Sequence, residues 1–329
     1  MVSESKELLL AVEDLSIEYK AGKRIVKAVN NLNFTLNKRE TLGLVGETGA
    51  GKTTTALGIM GLIPSPPGVI SSGRILLEGQ DLVNMPAAQM RNIRGGRVSM
   101  IFQDPMTSLN PIMTVGEQIA EVIMIHEKAT AREAMAKAKE MLLKVNIPAE
   151  RAGEYPHQFS GGMRQRVVIA IALSCMPQLL IADEPTTALD VTIQAQVLNL
   201  MKGLKKESDA SMIMITHDLG IVANICDKVA IIYAGGIVEY ADKNQLFRNP
   251  LHPYTVGLFG SIPDIKADES RLKPIKGLMP DPSNLPQGCV FSPRCERAVE
   301  ECKHIQPQNV EVETGHFVRC IHFKGGEAS

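Results

Sequence analysis

The sequence predicts an α/β fold built around a mainly parallel sheet, with a helical insert and a Cys-rich extension towards the C-terminal end. Short apolar runs that are typical of buried strands alternate with helical patterns along most of the chain. A glycine-rich loop joins one of these runs to a helix. Four of the six cysteines lie at or beyond position 289.

The composition is that of a globular protein, with 44% hydrophobic and 22% charged residues. A formal net charge of −1 argues against a partner held mainly by bulk electrostatics, such as duplex DNA or an anionic bilayer. No stretch approaches the ~20 apolar residues of a transmembrane helix, and the opening MVSESKELLL lacks the pattern of a secretory signal. We therefore expect an intracellular protein that does not itself span a membrane.

The apolar runs predict the strands in chain order. They cover residues 8–19, 28–36, 41–45, 98–102, 179–182, 212–216 and 229–233. Gly235 and Gly236 then predict a hairpin that leads into a strand over 237–240.

Helical patterns cover residues 53–62 and much of the region between the strands at 98–102 and 179–182, which predicts an insert at about 105–175. Thr130 and Glu133 match a capping box at the start of one insert helix. After Asn249 the chain is rich in Pro, Gly and Cys. We therefore expect a first domain over residues 1–245 and an extension over 246–329.

Residues 46–53, GETGAGKT, fit the pattern G-x-x-x-x-G-K-[ST] of phosphate-binding loops. Glycines let backbone N–H groups converge on phosphate oxygens, and the helix that starts near Gly51 directs its positive end at them. Lys52 can supply a mobile charge to the β- and γ-phosphates, and the Thr53 hydroxyl can ligate Mg²⁺. The motif therefore predicts a nucleoside triphosphate site.

Residues 178–184, QLLIADE, form an apolar strand that ends in two carboxylates. An acidic residue at such a strand end suits a Mg²⁺ contact, and the next one can orient and deprotonate an attacking water. We assign Asp183 to the metal and Glu184 to the water. By itself this pair would be an ordinary solvated strand end, but with the phosphate loop in the same chain it favours triphosphate hydrolysis.

Residues 159–166, FSGGMRQR, resemble the signature sequence of ABC ATPases, and they precede the carboxylate strand by one helix, as in that family. Ser160 is a good N-cap for a helix through Cys175, and Gly161 and Gly162 leave its first amides open to an anion. The sequence departs from the commonest form, LSGGQ, at Phe159 and Met163. Neither side chain is needed for the phosphate contact.

The resemblance covers about residues 8–245 and implies a P-loop NTPase core of the ABC type, with an antiparallel β subdomain and a helical subdomain. It implies that Gln103 contacts Mg²⁺ or water, that His217 faces the γ-phosphate, and that residues 188–190, ALD, form the D-loop. Tyr19 lies where the family places an aromatic ring against adenine. The implied catalytic residues are Glu184, His217 and Gln103, and the implied Mg²⁺ ligands are Thr53, Gln103 and Asp183. The implied ATP contacts are Tyr19, Gly46, Glu47, Thr48, Gly49, Ala50, Gly51, Lys52, Thr53, Thr54, Ser160, Gly161 and Gly162.

ABC ATPases work as face-to-face pairs, in which the phosphate loop of one subunit and the signature of the other enclose one ATP. This chain has one of each, so the resemblance implies a second ATPase subunit, identical or homologous. Residues 104–111, DPMTSLNP, and 249–255, NPLHPYT, resemble the dipeptide, oligopeptide and nickel importer ATPases. That likeness implies two membrane-spanning permease subunits, an indirect external solute-binding protein, no nucleic acid, and a peripheral place at the cytoplasmic face of the membrane.

Uptake of di- or oligopeptides is the expected function, and a nickel importer is an alternative. A soluble ABC ATPase without a transport role is a second alternative. Translation-type members usually carry two cassettes, repair-type members have long coiled coils, and members that serve iron–sulfur assembly lack such a Cys-rich tail. A regulatory sugar-importer ATPase would carry a β-rich extension. None of these features matches this chain.

The C-terminal cysteines are spaced Cys289-x5-Cys295-x6-Cys302-x17-Cys320. Zinc sites usually contain a tighter pair of cysteines, whereas a [4Fe–4S] cube spreads its thiolates more widely. The importer resemblance also implies such a cluster, since members with one are known. We expect a [4Fe–4S] cluster on these four residues, with Zn²⁺ or free or paired thiols as alternatives.

Overall fold

The computed structural model describes residues 7–187, 189–261 and 275–323. They form two compact units, each assembled from separate stretches of chain. The first unit comprises the described parts of Met1–Leu9, Leu36–Thr41 and Asn84–Ile215, and the second those of Leu10–Thr35, Leu42–Val83 and Thr216–Ser329.

Eight strands of the described residues begin and end within a few residues of those that the sequence predicts. The strands are β1 (Leu8–Ala21), β2 (Arg24–Asn37), β3 (Thr41–Val45), β4 (Gly68–Leu77), β5 (Gln80–Asp81), β6 (Val98–Ile101), β7 (Leu179–Asp183), β8 (Ser211–Thr216), β9 (Lys228–Tyr233), β10 (Gly236–Asp242), β11 (Val310–Glu313) and β12 (His316–Val318). Four of them, β4, β5, β11 and β12, are absent from the sequence prediction.

Four of the α-helices of the described residues lie between β6 and β7, the region where the sequence predicts a helical insert. The helices are α1 (Lys52–Ile59), α2 (Ala87–Ile93), α3 (Pro105–Ser108), α4 (Val115–Glu127), α5 (Ala131–Lys144), α6 (Gly161–Leu173), α7 (Val191–Glu207), α8 (Leu219–Ile225), α9 (Lys243–Arg248) and α10 (Pro253–Gly260). No helix of the described residues is both long and apolar enough to cross a membrane.

In the first unit, strands β6, β7 and β8 run parallel to one another. Every residue of β7 is buried, which explains its continuous apolar run. The Thr130–Glu133 capping box is confirmed at the start of α5, because the Thr130 N–H donates to the Glu133 carboxylate at 2.9 Å and the Glu133 N–H donates to the Thr130 hydroxyl. A second box, Thr114–Glu117, starts α4 in the same way.

In the second unit, β2, β1, β4 and β5 form a four-stranded sheet in that order, and β4 is antiparallel to both of its neighbours. Strand β3 is parallel to β9, and β9 turns through Ala234 and Gly235 into antiparallel β10, which confirms the predicted hairpin. Strand β12 then pairs with β10 and β11 with β12. The described residues after β10 therefore add strands to a sheet that begins earlier in the chain.

Candidate functional site

The glycine-rich loop has a backbone path that only glycine accommodates at two points. A Cβ at Gly46 would lie 2.2 Å from the Ile232 carbonyl oxygen, and one at Gly51 would lie 2.4 Å from that of Ala28. Gly51 also has a φ of +102° and is the N-cap of α1. The loop therefore passes close to neighbouring backbone and leads directly into α1, whose first-turn N–H groups have no intrahelical partners.

Lys52 lies inside this loop with only 6% of its surface exposed. Its ammonium donates to the carbonyl oxygens of Gly46 at 2.7 Å and Glu47 at 2.9 Å. Thr53, the next residue, is exposed on the first turn of α1. The loop thus places one ammonium, one hydroxyl and a helix N-terminus together, which is a set of groups suited to a phosphate chain and its metal.

Glu47 makes two contacts that the sequence did not predict. Its backbone N–H donates to the Tyr254 hydroxyl at 3.0 Å, and its carboxylate accepts from Arg294 at 2.9 and 3.1 Å. Tyr254 is fully buried, and burial raises the pKa of its phenol, which therefore stays neutral. Tyr254 belongs to the NPLHPYT segment, whereas nothing in the sequence around Arg294 marks it as a loop contact.

The two predicted carboxylates follow each other at the end of β7. Asp183 is the last residue of the strand and is 2% exposed. Glu184 has a positive φ of 45°, a backbone conformation that costs free energy for a residue other than glycine, and its N–H donates to the Ile215 carbonyl at 2.9 Å. At this turn the two consecutive residues differ in exposure: Asp183 is buried and Glu184 is half-buried.

The Glu184 carboxylate is held by two side chains of the first unit. Its Oε2 accepts from Gln103 Nε2 at 3.0 Å and from the Thr187 hydroxyl at 3.0 Å. Gln103 and Glu184 were both predicted to be functional, and the fold brings them together across 81 residues of sequence. Thr187 was missed, because a threonine four residues after a strand end carries no distinctive signal.

The signature segment begins helix α6, with Ser160 at the N-cap. The Ser160 side chain makes no capping hydrogen bond, and a Cβ at Gly161 would meet no atom within 4 Å. At Gly162, a Cβ would lie 2.6 Å from Ile193, so a larger residue does not fit there without a shift. The helix ends at Leu173, two residues before the predicted end at Cys175.

Three other predicted residues or segments have ordinary structural positions. His217 follows β8 and is exposed, and Tyr19 is half-buried opposite Gly68 in the β1–β4 pair. In the D-loop segment, Ala188 lies outside the described residues, and Asp190 caps α7 by accepting from the Ile193 N–H at 2.9 Å. Their predicted roles toward ATP stay predictions.

The four C-terminal cysteines are free thiols, of which Cys302 and Cys320 are buried. Burial raises the pKa of Cys289 and Cys295, and the thiols of Cys302 and Cys320 raise both further. Backbone N–H groups two residues along, those of Phe291, Arg297 and His322, counteract this rise at Cys289, Cys295 and Cys320. The thiols thus influence one another electrostatically, although no group of three or more His, Cys, Asp or Glu in the described chain is arranged to hold a metal.

Comparison with known proteins adds independent evidence. Residues 29–187 match the ABC transporter family, and residues 238–302 match the C-terminal region of oligopeptide/dipeptide transporters. The oligopeptide transport ATP-binding protein OppD of Haemophilus influenzae is 50% identical over 314 residues, which cover 95% of this chain and 96% of that one. The dipeptide transport ATP-binding protein DppD of Bacillus subtilis is 46% identical over 316 residues, 95% of this chain and 94% of its own.

Solved structures share the fold. A dimeric ATP-binding cassette bound to ADP and phosphate has a TM-score of 0.65 at 24% identity, over 71% of this chain and 99% of its own. The cbiO1 protein of Clostridium perfringens has a TM-score of 0.63 at 26% identity, over 74% of this chain and 92% of its own.

The fold and the family match define the class of this protein, an ATP-binding cassette ATPase. The chain belongs to the ABC transporter ATP-binding proteins that carry the oligopeptide/dipeptide transporter C-terminal region.

Proposed function

We propose that this chain is the ATP-hydrolysing subunit of an ABC importer that takes up di- and oligopeptides. The observation that carries the proposal is the likeness to peptide transport ATP-binding proteins over 95% of the chain, which includes the C-terminal region as well as the ATPase core. A likeness confined to the core would support ATP hydrolysis but no class of solute. Neither a nickel importer nor an ATPase without a transport role receives comparable support.

The ATPase works with partner subunits in this proposal. Each chain contributes its phosphate loop to one ATP site and its signature segment to the other. A second ATPase subunit is therefore needed to complete each site. Two membrane-spanning permease subunits hold the pair at the cytoplasmic face of the membrane, and an external binding protein delivers the peptide.

The chemistry is the hydrolysis of Mg·ATP. Lys52 and the loop amides bind the phosphates, while Thr53, Gln103 and Asp183 hold the metal, which would neutralise charge on the phosphate oxygens. Glu184 orients the attacking water and accepts its proton. The hydrogen bonds from Gln103 and Thr187 support this role, because they fix the carboxylate before the water arrives.

The remaining roles follow the family pattern. His217 contacts the γ-phosphate, and Tyr19 stacks on adenine. Ser160, Gly161 and Gly162 contact the γ-phosphate of the ATP held by the partner subunit. The exposed start of α6 supports this role, since Ser160 and Gly161 are exposed and the Ser160 hydroxyl makes no capping bond.

Transport can be tested in a bacterial strain that lacks the gene for this chain. We expect uptake of labelled di- and oligopeptides to return with the wild-type chain. With Lys52→Ala, uptake should stay at least about tenfold lower than with the wild type, because Lys52 binds the phosphates. Lys206→Ala, which changes an exposed lysine of α7, is the matched control and should restore uptake. If only nickel uptake required this chain, the protein would be a nickel importer. If neither peptide nor nickel uptake required it, an ATPase without a transport role would remain.

We also propose that Cys289, Cys295, Cys302 and Cys320 hold a [4Fe–4S] cluster. The support for this proposal is the chemistry of the donor set, four thiols that influence one another electrostatically, although no group of three or more His, Cys, Asp or Glu in the described residues is arranged to hold a metal. A bound cluster would order this part of the chain, where only small 3₁₀ turns and short strands are present.

Protein purified without oxygen is therefore expected to be brown, with broad absorption near ~400 nm, about four irons and matching sulfide. Changing any one of the four cysteines to serine should remove the absorption. Cys175→Ser, at a half-buried cysteine of the first unit, is the control and should keep it. One zinc and no iron in the wild type would instead identify a zinc site, and neither metal would leave free thiols.

A further inference from the structure

The C-terminal region holds the phosphate loop through an ion pair. The Arg294 side chain is only 6% exposed, and its guanidinium lies 2.9 Å from the carboxylate of Glu47, whose side chain is 30% exposed. The two residues are separated by 247 positions in the sequence. Arg294 also donates to the Lys276 carbonyl at 3.0 Å and lies over the Tyr233 ring, so its own position is fixed by several neighbours.

A second contact fixes the backbone of the same residue. The Tyr254 hydroxyl accepts from the Glu47 N–H, and the Glu47 carbonyl in turn accepts from Lys52. The peptide groups on both sides of Glu47 are therefore oriented. Since Lys52 hydrogen-bonds directly to this backbone, the contact from Tyr254 influences where the phosphate-binding ammonium lies.

The groups that make these contacts are themselves rigidly supported. Phe291 packs against the rings of Tyr233 at 5.2 Å and Tyr254 at 5.4 Å. The fully buried Glu239 carboxylate accepts from the N–H groups of Leu251 and His252, each at 2.8 Å, and from His316 at 2.8 Å. These contacts join the NPLHPYT segment, the cysteine segment and the last strand into one support.

An unpaired carboxylate in a phosphate-binding loop would oppose ATP binding, because it would repel the negative charges of the phosphates. Arg294 neutralises that carboxylate and holds it in one position. This explains how the loop can carry a glutamate at its second position and still attract an anion.

We propose that Arg294 and Tyr254 are positioning residues for ATP, through which the C-terminal region sets the nucleotide affinity of the phosphate loop. The proposal rests on the proposed ATP site at residues 46–54. It assigns to the C-terminal region an influence on the ATPase that requires no residue of that region to touch the reacting atoms.

The test is a titration of the purified full-length chain with a fluorescent ATP analogue, together with steady-state ATPase kinetics. Arg294→Met should weaken ATP binding roughly tenfold, by exposing one like charge near the phosphates. KM should rise in parallel, while kcat at saturating ATP should change less than about twofold. Arg248→Met, the same change at an exposed arginine at the end of α9, should leave affinity unchanged.

A double variant separates this role from general destabilisation. Glu47→Gln removes the repelling charge, so Arg294→Met combined with Glu47→Gln should recover most of the lost affinity. If the double variant binds ATP no better than Arg294→Met alone, or if Arg294→Met binds like the wild type, the proposal is wrong.

Two further variants cover the other outcomes. If Arg294→Met does not fold, Tyr254→Phe should still weaken binding about threefold by removing the acceptor for the Glu47 N–H, and unchanged binding would overturn the proposal. Lys52→Ala should lose ATP binding in the same titration. Retained binding in Lys52→Ala would refute the proposed ATP site itself, independently of the outcome for Arg294.

Discussion

Glu184→Gln is expected to keep ATP binding and to lower ATP turnover by about 10²-fold or more, the size of effect that follows loss of a general base. Glutamine has nearly the shape of glutamate, so the hydrogen bond from Thr187 can persist on its amide oxygen. The amide cannot accept a proton from water. The substitution does not relieve or add strain at the backbone φ of 45°, so a loss of turnover reflects the changed side-chain chemistry.

Binding and turnover are measured separately, by nucleotide titration and by phosphate release. The matched control is Glu207→Gln, at an exposed glutamate that pairs with Lys144 on the surface, and it should retain wild-type turnover. Near wild-type hydrolysis by Glu184→Gln would exclude Glu184 as the base. Loss of ATP binding would show instead that the carboxylate is needed to form the site.

Ser160→Arg is expected to abolish most ATP turnover, about 10-fold or more, while ATP affinity of the single subunit stays near that of the wild type. The reason is that Ser160 contacts ATP held by the partner subunit in the proposed pair. A bulky side chain at the exposed start of α6 would prevent the two subunits from closing. Turnover per subunit of the wild type should rise with protein concentration, because two chains build each site.

The closed pair can be observed in the Glu184→Gln variant, because this variant binds ATP but does not hydrolyse it. Size-exclusion chromatography with ATP should show a dimer for Glu184→Gln and a monomer once Ser160→Arg is added. Ser72→Arg, at an exposed serine of β4, should leave the dimer intact. Turnover that tolerates Ser160→Arg and is independent of concentration would contradict the paired site.

Local sequence determined the parts of the fold whose signals lie within a few residues. Fully buried strands such as β3 and β7 appear as continuous apolar runs, and the Thr130–Glu133 box needs only a spacing of three. Strand β4 was missed because its two glycines and its two exposed serines interrupt any apolar pattern. Strands β11 and β12 were missed because their order comes from pairing, of β12 with β10 and of β11 with β12, and not from their own four or three residues.

The functional motifs were readable for the same reason, since a phosphate loop, a strand-end carboxylate pair and a capped signature helix each occupy one short segment. The sequence by itself therefore determined the class of ATPase and the principal candidate residues. Only the tertiary structure decided what surrounds them. Gln103 meets Glu184, and Arg294 and Tyr254 meet on Glu47, because folding joins segments that are far apart in the chain. Such long-range contacts leave no periodicity or spacing in the sequence, since they depend on strand pairing and packing rather than on neighbouring residues.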